Sequence, residues 1–353
     1  MAYSDGWAAL NLEKTDRIPR TEYSASEHWE LVKRVTGISI DSAKNSKEEK
    51  EKASSAFKKN WNYDFCWSIL FNKEIFEGFC TSMGHAEFSA GGTDFDQSVN
   101  CPFNSPEEAF ELDFFEQYGK KDMNVLVSKL NEHYKKNRTL NPDAVNMTGI
   151  YVSPISGLLE IFGWDMMLMA MGIDLTGFGE VLNRYSKWIK QYYEALAECD
   201  SPVIMVHDDI VWTSGPFTNP KWYREYLFPN YKKLFSPILE AGKKLIYTSD
   251  GNYNEFIDDI ADAGVHGFVM EPTTDMKYIA EKYGKTHSFI GNADTRILLS
   301  GSKEDIYNEV KRCIDIGKDC NGFFMAVGNH IPSNTPIENA LYYNEVYEKL
   351  SRR

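Results

Sequence analysis

Apolar residues in this chain follow two rhythms. Short runs of β-branched and aromatic residues alternate, from about residue 145 onward, with longer stretches whose apolar positions recur at helical spacing. The runs read as buried strands and the stretches as amphipathic helices. Strands are expected over 63–70, 145–152, 202–206, 244–248, 267–270, 288–292 and 323–327. Helices are expected over 26–35, 107–136, 156–171, 177–198, 219–240, 254–264, 276–283 and 303–317. Ser105 is the expected N-cap of the helix over 107–136, with Pro106 at its first position. Pro229 and Pro237 should break or kink the helix over 219–240. The charged stretch 41–60 reads as a solvated helix. The irregular, polar stretch 83–106, with Gly91-Gly92, reads as a long loop or a pair of short edge strands.

Strands separated by long helices call for a parallel sheet. Eight strands, with 63–70 as the first and one hidden near 86–97, close a barrel better than they extend an open sheet. The expectation is an α/β fold, a (β/α)8 TIM barrel with N-terminal helical additions, as one domain over 1–353 in which 1–60 packs on the barrel. No Gly-x-Gly-x-x-Gly follows a strand, which counts against a dinucleotide fold. A formal charge of -14 argues against a nucleic-acid partner. No apolar run looks long enough to span a membrane, and the N-terminus lacks a basic region followed by an apolar core, so no membrane partner and a cytoplasmic location are expected by default. The six cysteines are widely spaced with no Cys-x-x-Cys pair, which supports neither a disulfide scaffold nor a thiolate zinc site. Aromatic residues, 14% of the chain, could wall a cavity for a planar ligand.

In a parallel α/β barrel the C-terminal ends of the strands share one mouth, where active sites are built. Three strand ends deliver a potential metal ligand there: Asp250 after 244–248, Glu271 after 267–270 and His330 after 323–327. Each alone has an ordinary explanation: Ser-Asp-Gly-Asn is a common turn, and His330 could be a hydrogen-bonded loop histidine. Glu271 is harder to dismiss, because a carboxylate that continues an apolar strand is costly to bury unless paired or bound to a cation. Together they suit a three-ligand zinc site with one position open. His207-Asp208-Asp209 ends the strand over 202–206 and supplies candidate catalytic groups. By alternation His207 and Asp209 share a face and Asp208 takes the other. A second metal set, Asp294, Glu309 and His330, ranks lower because Glu309 lies in the middle of a helix, away from the strand ends.

The C-terminal half, with Gly291-Asn-Ala-Asp294, Ala326-Val-Gly-Asn-His-Ile-Pro332 and Thr335-Pro336-Ile-Glu-Asn339, resembles the uroporphyrinogen decarboxylase superfamily. The resemblance covers most of the chain from Asp16 onward and implies an α/β barrel. Decarboxylases of the superfamily carry Arg-Gln-Ala-Gly-Arg near the N-terminus, where this chain reads Ile18-Pro-Arg-Thr-Glu-Tyr23. Its corrinoid-dependent methyltransferases bind zinc through His-x-Cys and a later Cys; the matching positions here are Thr248-x-Asp250 and Asn329, so the thiolates are absent. A barrel relative, cobalamin-independent methionine synthase, adds a Glu where Glu271 falls. On Val206-His-Asp-Asp-Ile-Val-Trp-Thr213 and Pro19-Arg-Thr-Glu-Tyr-Ser24 the chain is similar to the methyltransferase I components of acetogen aryl-ether O-demethylases. That resemblance implies transfer of a methyl group from a methoxylated aromatic to the cob(I)alamin of a corrinoid protein partner, with zinc at the ether oxygen. Glu22, Trp29, Trp67, Trp212 and Asn329 are then expected to bind substrate, with Phe103 a further wall candidate, and a homodimer is a further expectation. The alternative is a decarboxylase of an unknown carboxylated substrate, held by Arg20, Arg184, Arg224 or Arg296.

Overall fold

Every expected strand that falls among the described residues, 3–82 and 100–353 of the computed structural model, forms and runs parallel to its neighbours. In chain order the barrel strands are β1 (Phe65–Cys66), β2 (Val145–Asn146), β3 (Thr148–Ile150), β4 (Val203–His207), β5 (Lys244–Ser249), β6 (Gly267–Met270), β7 (Ser288–Ala293) and β8 (Phe323–Val327), and Val211–Trp212 and Gly215–Pro216 form a separate small hairpin. β2 and β3 are two segments of one stave on either side of Met147. β1 pairs with β2, and β3 through β8 pair in chain order.

The ring closes through a segment the alternation did not reveal. Met325 N–H donates to the Pro19 carbonyl at 2.8 Å, and Thr21 N–H donates to the Met325 carbonyl at 3.1 Å. On the other edge, Asp64 N–H donates to the Arg20 carbonyl at 2.9 Å, and Val145 N–H to the Asp64 carbonyl at 2.9 Å. Residues 19–21 therefore fill the place between β8 and β1, and the sheet has no free edge there. The strand expected near 86–97 lies outside the described residues, and the barrel does not need it. A three-residue stave that begins with proline is too short to carry a period-2 signal, which is why the sequence hid it.

Two apolar cores show how each strand divides its side chains. Phe65, Val145, Met147, Val203, Met205, Ile246, Val269, Ile290, Phe324 and Ala326 pack inside the barrel, sealed below by Ala9 and Leu10 of the helix Tyr3–Leu10. The intervening residues, such as Ile204, Val206, Leu245, Tyr247, Phe268 and Phe289, face the surrounding helices. This parity carries past the strand ends and decides which end residues reach the mouth.

The helices depart from expectation at several points, and Tyr3–Leu10, Thr295–Ser300 and Ile337–Leu350 form where none was expected. The helix expected over 107–136 is three pieces, Glu108–Glu111, Phe114–Tyr118 and Met123–Leu140, separated where Asp113 and Asp122 each cap a new start with their side chains. Ser105 offers its carbonyl to Glu108 rather than a side-chain cap. The break or kink expected within 219–240 falls just ahead of Pro229, where a wide π-type turn over Tyr223–Leu227 leads into Phe228–Glu240, whereas Pro237 sits inside that helix without ending it. The helix Pro154–Ile173 is long and apolar enough to cross a membrane by length and composition, contrary to the sequence expectation, but two-thirds of its apolar window is buried within the fold, 67%. It bends at Gly163, whose φ of 73° leaves the helical region.

Candidate active site at the barrel mouth

Strand register assembles the site. β4 pairs with β5 so that His207 stands beside Thr248, and two residues further on Asp209 meets Asp250. β5 pairs with β6 so that Ser249 stands beside Met270, which carries Asp250 next to Glu271. His207 continues the inward parity of Val203 and Met205, and Asp250 and Glu271 continue that of Ile246 and Val269.

The resulting contacts are short and directional. His207 Nε2 and Asp209 Oδ1 are 2.8 Å apart, and the same oxygen accepts from the Asp250 N–H at 2.8 Å. Asp209 N–H donates to Ser156 Oγ at 2.8 Å. Among the described residues, His207, Asp209 and Asp250 are the one group of three with potential ligand atoms all within 4.8 Å of one another. Glu271 adjoins them, with Oε2 accepting from the Gly251 N–H at 2.8 Å and Oε1 from Asn329 Nδ2 at 2.6 Å. Asn329 Nδ2 also lies 3.4 Å from Asp250 Oδ2, so this amide bridges two carboxylates.

Three half-buried carboxylates and one buried imidazole leave the described residues of this wall with an excess of negative charge. Burial first, then repulsion from Asp209 and Glu271, pushes the Asp250 carboxyl up to about 8, against the opposing pull of His207 and Asn329. A cation would reverse that penalty. Burial, aided by His207, lowers the pKa of His330, so its ring stands neutral in the same wall.

The mouth holds two adjoining cavities that share Asn329 and His330. The inner one, about 250 Å³, lies over His207 and Asp250 and is walled by Tyr23, Trp67 and Tyr151. Tyr23 and Trp67 stack with centroids 4.7 Å apart, and the Tyr151 ring meets the His207 ring edge-on at 3.9 Å. The outer one, about 290 Å³, extends from Glu271 past Asp294 and Arg296.

The expected site residues thus divide. His207, Asp209, Asp250, Glu271, Asn329, His330 and Trp67 converge on the mouth. The expected metal trio shares Asp250 with the observed cluster, while Glu271 and His330 stand beside it. Asp208 turns away: it is fully buried and accepts from the N–H groups of Ile155 and Ser156 at 3.0 and 2.7 Å and from the Tyr231 hydroxyl at 2.6 Å. It caps the helix Pro154–Ile173 with its charge on the positive end of the helix. Burial nevertheless pushes its carboxyl up to about 6.

Glu22 also faces outward. Its oxygens bind Arg20 at 2.9 Å, the Tyr343 hydroxyl at 2.7 Å and the Val327 N–H at 2.9 Å. Trp29 opens the helix Trp29–Thr36 and packs half-buried on the outer core, and Phe103 is buried in that core against Phe162. Trp212 is exposed on a small hairpin, its ring near Trp164 and Phe217. The lower-ranked metal set is not assembled, because Asp294 pairs with Arg296 and Glu309 with Arg312, at 2.6 and 2.7 Å.

Of the arginines considered for holding a carboxylated substrate, Arg20 is buried between Trp61 and Tyr347 and Arg184 bonds the Phe110 carbonyl. Arg224 pairs with Glu255 and Asp259. Arg296 alone lines a cavity, the outer one, and is paired with Asp294. Sequence reading missed Tyr23, Tyr151 and Thr248 as wall residues, although extending strand parity one or two positions past each apolar run would have found them.

The family model described as Uroporphyrinogen decarboxylase (URO-D) matches residues 93–350. Uroporphyrinogen decarboxylases from Thermus thermophilus and Carboxydothermus hydrogenoformans are 25% and 26% identical to this chain over 171 and 172 residues. These matches cover 48% and 49% of the chain, and the chain spans about half the length of these curated relatives, 48% and 47%. Among solved structures, a methyltransferase from Methanosarcina mazei superposes with a TM-score of 0.64 at 19% identity, covering 98% of each chain, a likeness of fold.

Proposed function

The chain belongs to the uroporphyrinogen decarboxylase family, and from that premise we propose that it is a corrinoid-dependent methyltransferase acting on an aryl methyl ether. The observation that carries the reading is the inner cavity. It sets aromatic walls against a half-buried, anion-rich cluster, and among the described residues that line it there is no lysine or arginine. Such a wall suits a neutral aromatic ligand and a bound cation. It suits poorly the decarboxylase alternative, whose substrate carboxylates require cationic partners.

An aryl methyl ether resists cleavage because its phenolate leaves reluctantly, so catalysis must stabilise negative charge on the ether oxygen as the methyl departs. His207, Asp209 and Asp250 fit a dication: one nitrogen and carboxylate oxygens, close together and over-supplied with negative charge. Zinc held there would supply Lewis acidity at the ether oxygen. The protein's own groups do the rest. Asp209 orients the His207 ring through Nε2. Asn329 holds Asp250 and Glu271 apart, and Ser156 anchors Asp209. Burial keeps the Tyr151 hydroxyl protonated, its pKa raised well above the usual value, so it can donate a hydrogen bond to the departing oxygen. The carbon–oxygen bond breaks with its electron pair left on oxygen, and the methyl passes to the cob(I)alamin of a corrinoid protein docked over the mouth. Trp67 and Tyr23 seat the ring, and the expected roles of Glu22, Trp29 and Trp212 move to these residues.

The test is anaerobic methyl transfer to cob(I)alamin, read by its absorbance, with methoxylated aromatics, glycine betaine and methanol as donors. Turnover with aryl ethers alone, abolished by a chelator and restored by zinc, is the expected result. No turnover with any donor, using metal-replete protein and the cognate corrinoid protein, would sink the assignment.

A further inference from the structure

The inner cavity presents aromatic carbon and negative charge together. Tyr23, Trp67 and Tyr151 line it, each half-buried. The Trp67 indole nitrogen is buried within the wall, and so is the Tyr23 hydroxyl, against Thr248. The side chains of Tyr23 and Trp67 therefore offer the cavity ring carbon and no donor. Glu27 and Asp250 line the same space. Glu27 is exposed at the rim, and Asp250 stands with Asp209 and Glu271 in the cluster. Among the described residues no lysine or arginine lines the cavity, and the stretch 83–99 contains none.

A dication at His207, Asp209 and Asp250 offsets the two carboxylates of that group, and Glu27 and Glu271 remain. Glu271 accepts from Asn329 and from the Gly251 N–H, whereas Glu27 stands at the open end of the cavity. Ring carbon beside a carboxylate suits a cation that needs no hydrogen-bond acceptor. A quaternary ammonium is such a cation: it spreads its charge over methyl groups and is held by aromatic rings and by opposite charge. A primary ammonium brings three donors, for which the rings supply no acceptor. We infer that the inner cavity has a subsite for a methylated ammonium group, with Tyr23 and Trp67 as its apolar wall and Glu27 as its counter-charge. A neutral ring suits the wall alone, a ring that also carries this cation suits both the wall and the charge, and a carboxylated ring is repelled. The inference rests on the aryl-ether reading for the rest of the ligand, while the subsite itself is tested by binding alone.

Without a methyl acceptor the donors bind but do not react, so affinity is read by calorimetry on zinc-loaded protein. The ligands are para-methoxyphenyltrimethylammonium, its uncharged isostere para-tert-butylanisole, and para-methoxybenzoate. The expected order is the cation tightest, by about tenfold over the isostere, with the benzoate weakest. Glu27→Gln, at an exposed position, should leave the melting temperature unchanged. It should erase most of the cation's advantage and keep isostere affinity within about twofold. An isostere bound as tightly as the cation overturns the subsite. So does a preference that survives intact in Glu27→Gln, or benzoate binding as tightly as the cation. A charge preference lost in Glu27→Gln, in a protein that transfers no methyl from any ether to cob(I)alamin, upholds the subsite and sinks the methyltransferase reading instead.

Discussion

Two clusters of charge, the outer one buried and the inner one half-buried, lie on opposite sides of the same barrel wall, and they are balanced differently. Outside the wall, Glu22 meets Arg20 at 2.9 Å, and Arg20 is sandwiched by Trp61 and Tyr347. Beside it Asp64 meets Arg17 at 2.6 Å, so each carboxylate has its own guanidinium. Inside the mouth, Asp209, Asp250 and Glu271 share one histidine and an amide. The outer cluster neutralises itself and ties the first stave to the last helix. Among the described residues, the inner one gathers more carboxylates than cationic groups. An excess of like charge is tolerated where a ligand offsets it, and this difference separates scaffold from candidate site.

The contrast can be broken at either end. Glu22→Ala strands the buried Arg20 guanidinium and should cost about 3–5 kcal/mol of stability, measured by denaturant unfolding. A loss below about 1 kcal/mol would show that the outer cluster is not the structural one. In the mouth, Asp250→Asn removes a crowded carboxylate, so the metal-free protein should keep or gain thermal stability. Zinc content, by metal analysis, and methyl transfer should instead fall about 100-fold or more, beyond what loss of a supporting partner costs. A variant that loses stability but retains zinc would reverse the assignment.

A smaller effect should appear in the pH dependence of metal binding. Because the Asp250 carboxyl titrates near 8 without a cation, metal must displace its proton below that pH. Zinc affinity should therefore rise about tenfold per pH unit between pH 6 and 8 from this group alone, and level off above. His207→Gln, which removes a ligand but not this carboxyl, should lower the curve and preserve that component of its slope. A flat profile in competition titrations would remove Asp250 from the ligand set.

The smallest effect belongs to Asp208, the acid that faces the helix layer. Its carboxyl is raised to about 6, so the folded state holds a proton that the unfolded chain releases near 4. This contribution to stability is complete below about pH 4 and lost as pH rises through 6. Asp208→Asn should flatten stability against pH across that window, at a cost of about 1 kcal/mol for the weakened cap. Methyl transfer should change little. A large loss of turnover with stability intact would return Asp208 to the catalytic group.

The sequence by itself determined seven of the eight staves and their order, because apolar runs separated by amphipathic helices have few alternatives to a parallel barrel. It also determined that His207 and Asp209 share one face and Asp208 the other, since alternation is local geometry. It could not show that Asp209 meets Asp250 rather than Asp250 meeting His330, because that depends on the register between β4 and β5, which hydrogen bonds between distant residues set. Nor could it reveal that 19–21 is a stave: those residues are held by Met325 and Asp64, and nothing in their own pattern announces a strand. That closure turns Glu22 outward to Arg20 and Tyr23 inward to the cavity. Adjacent residues thereby receive opposite roles, and the tertiary structure decided them because only the completed ring defines an inside.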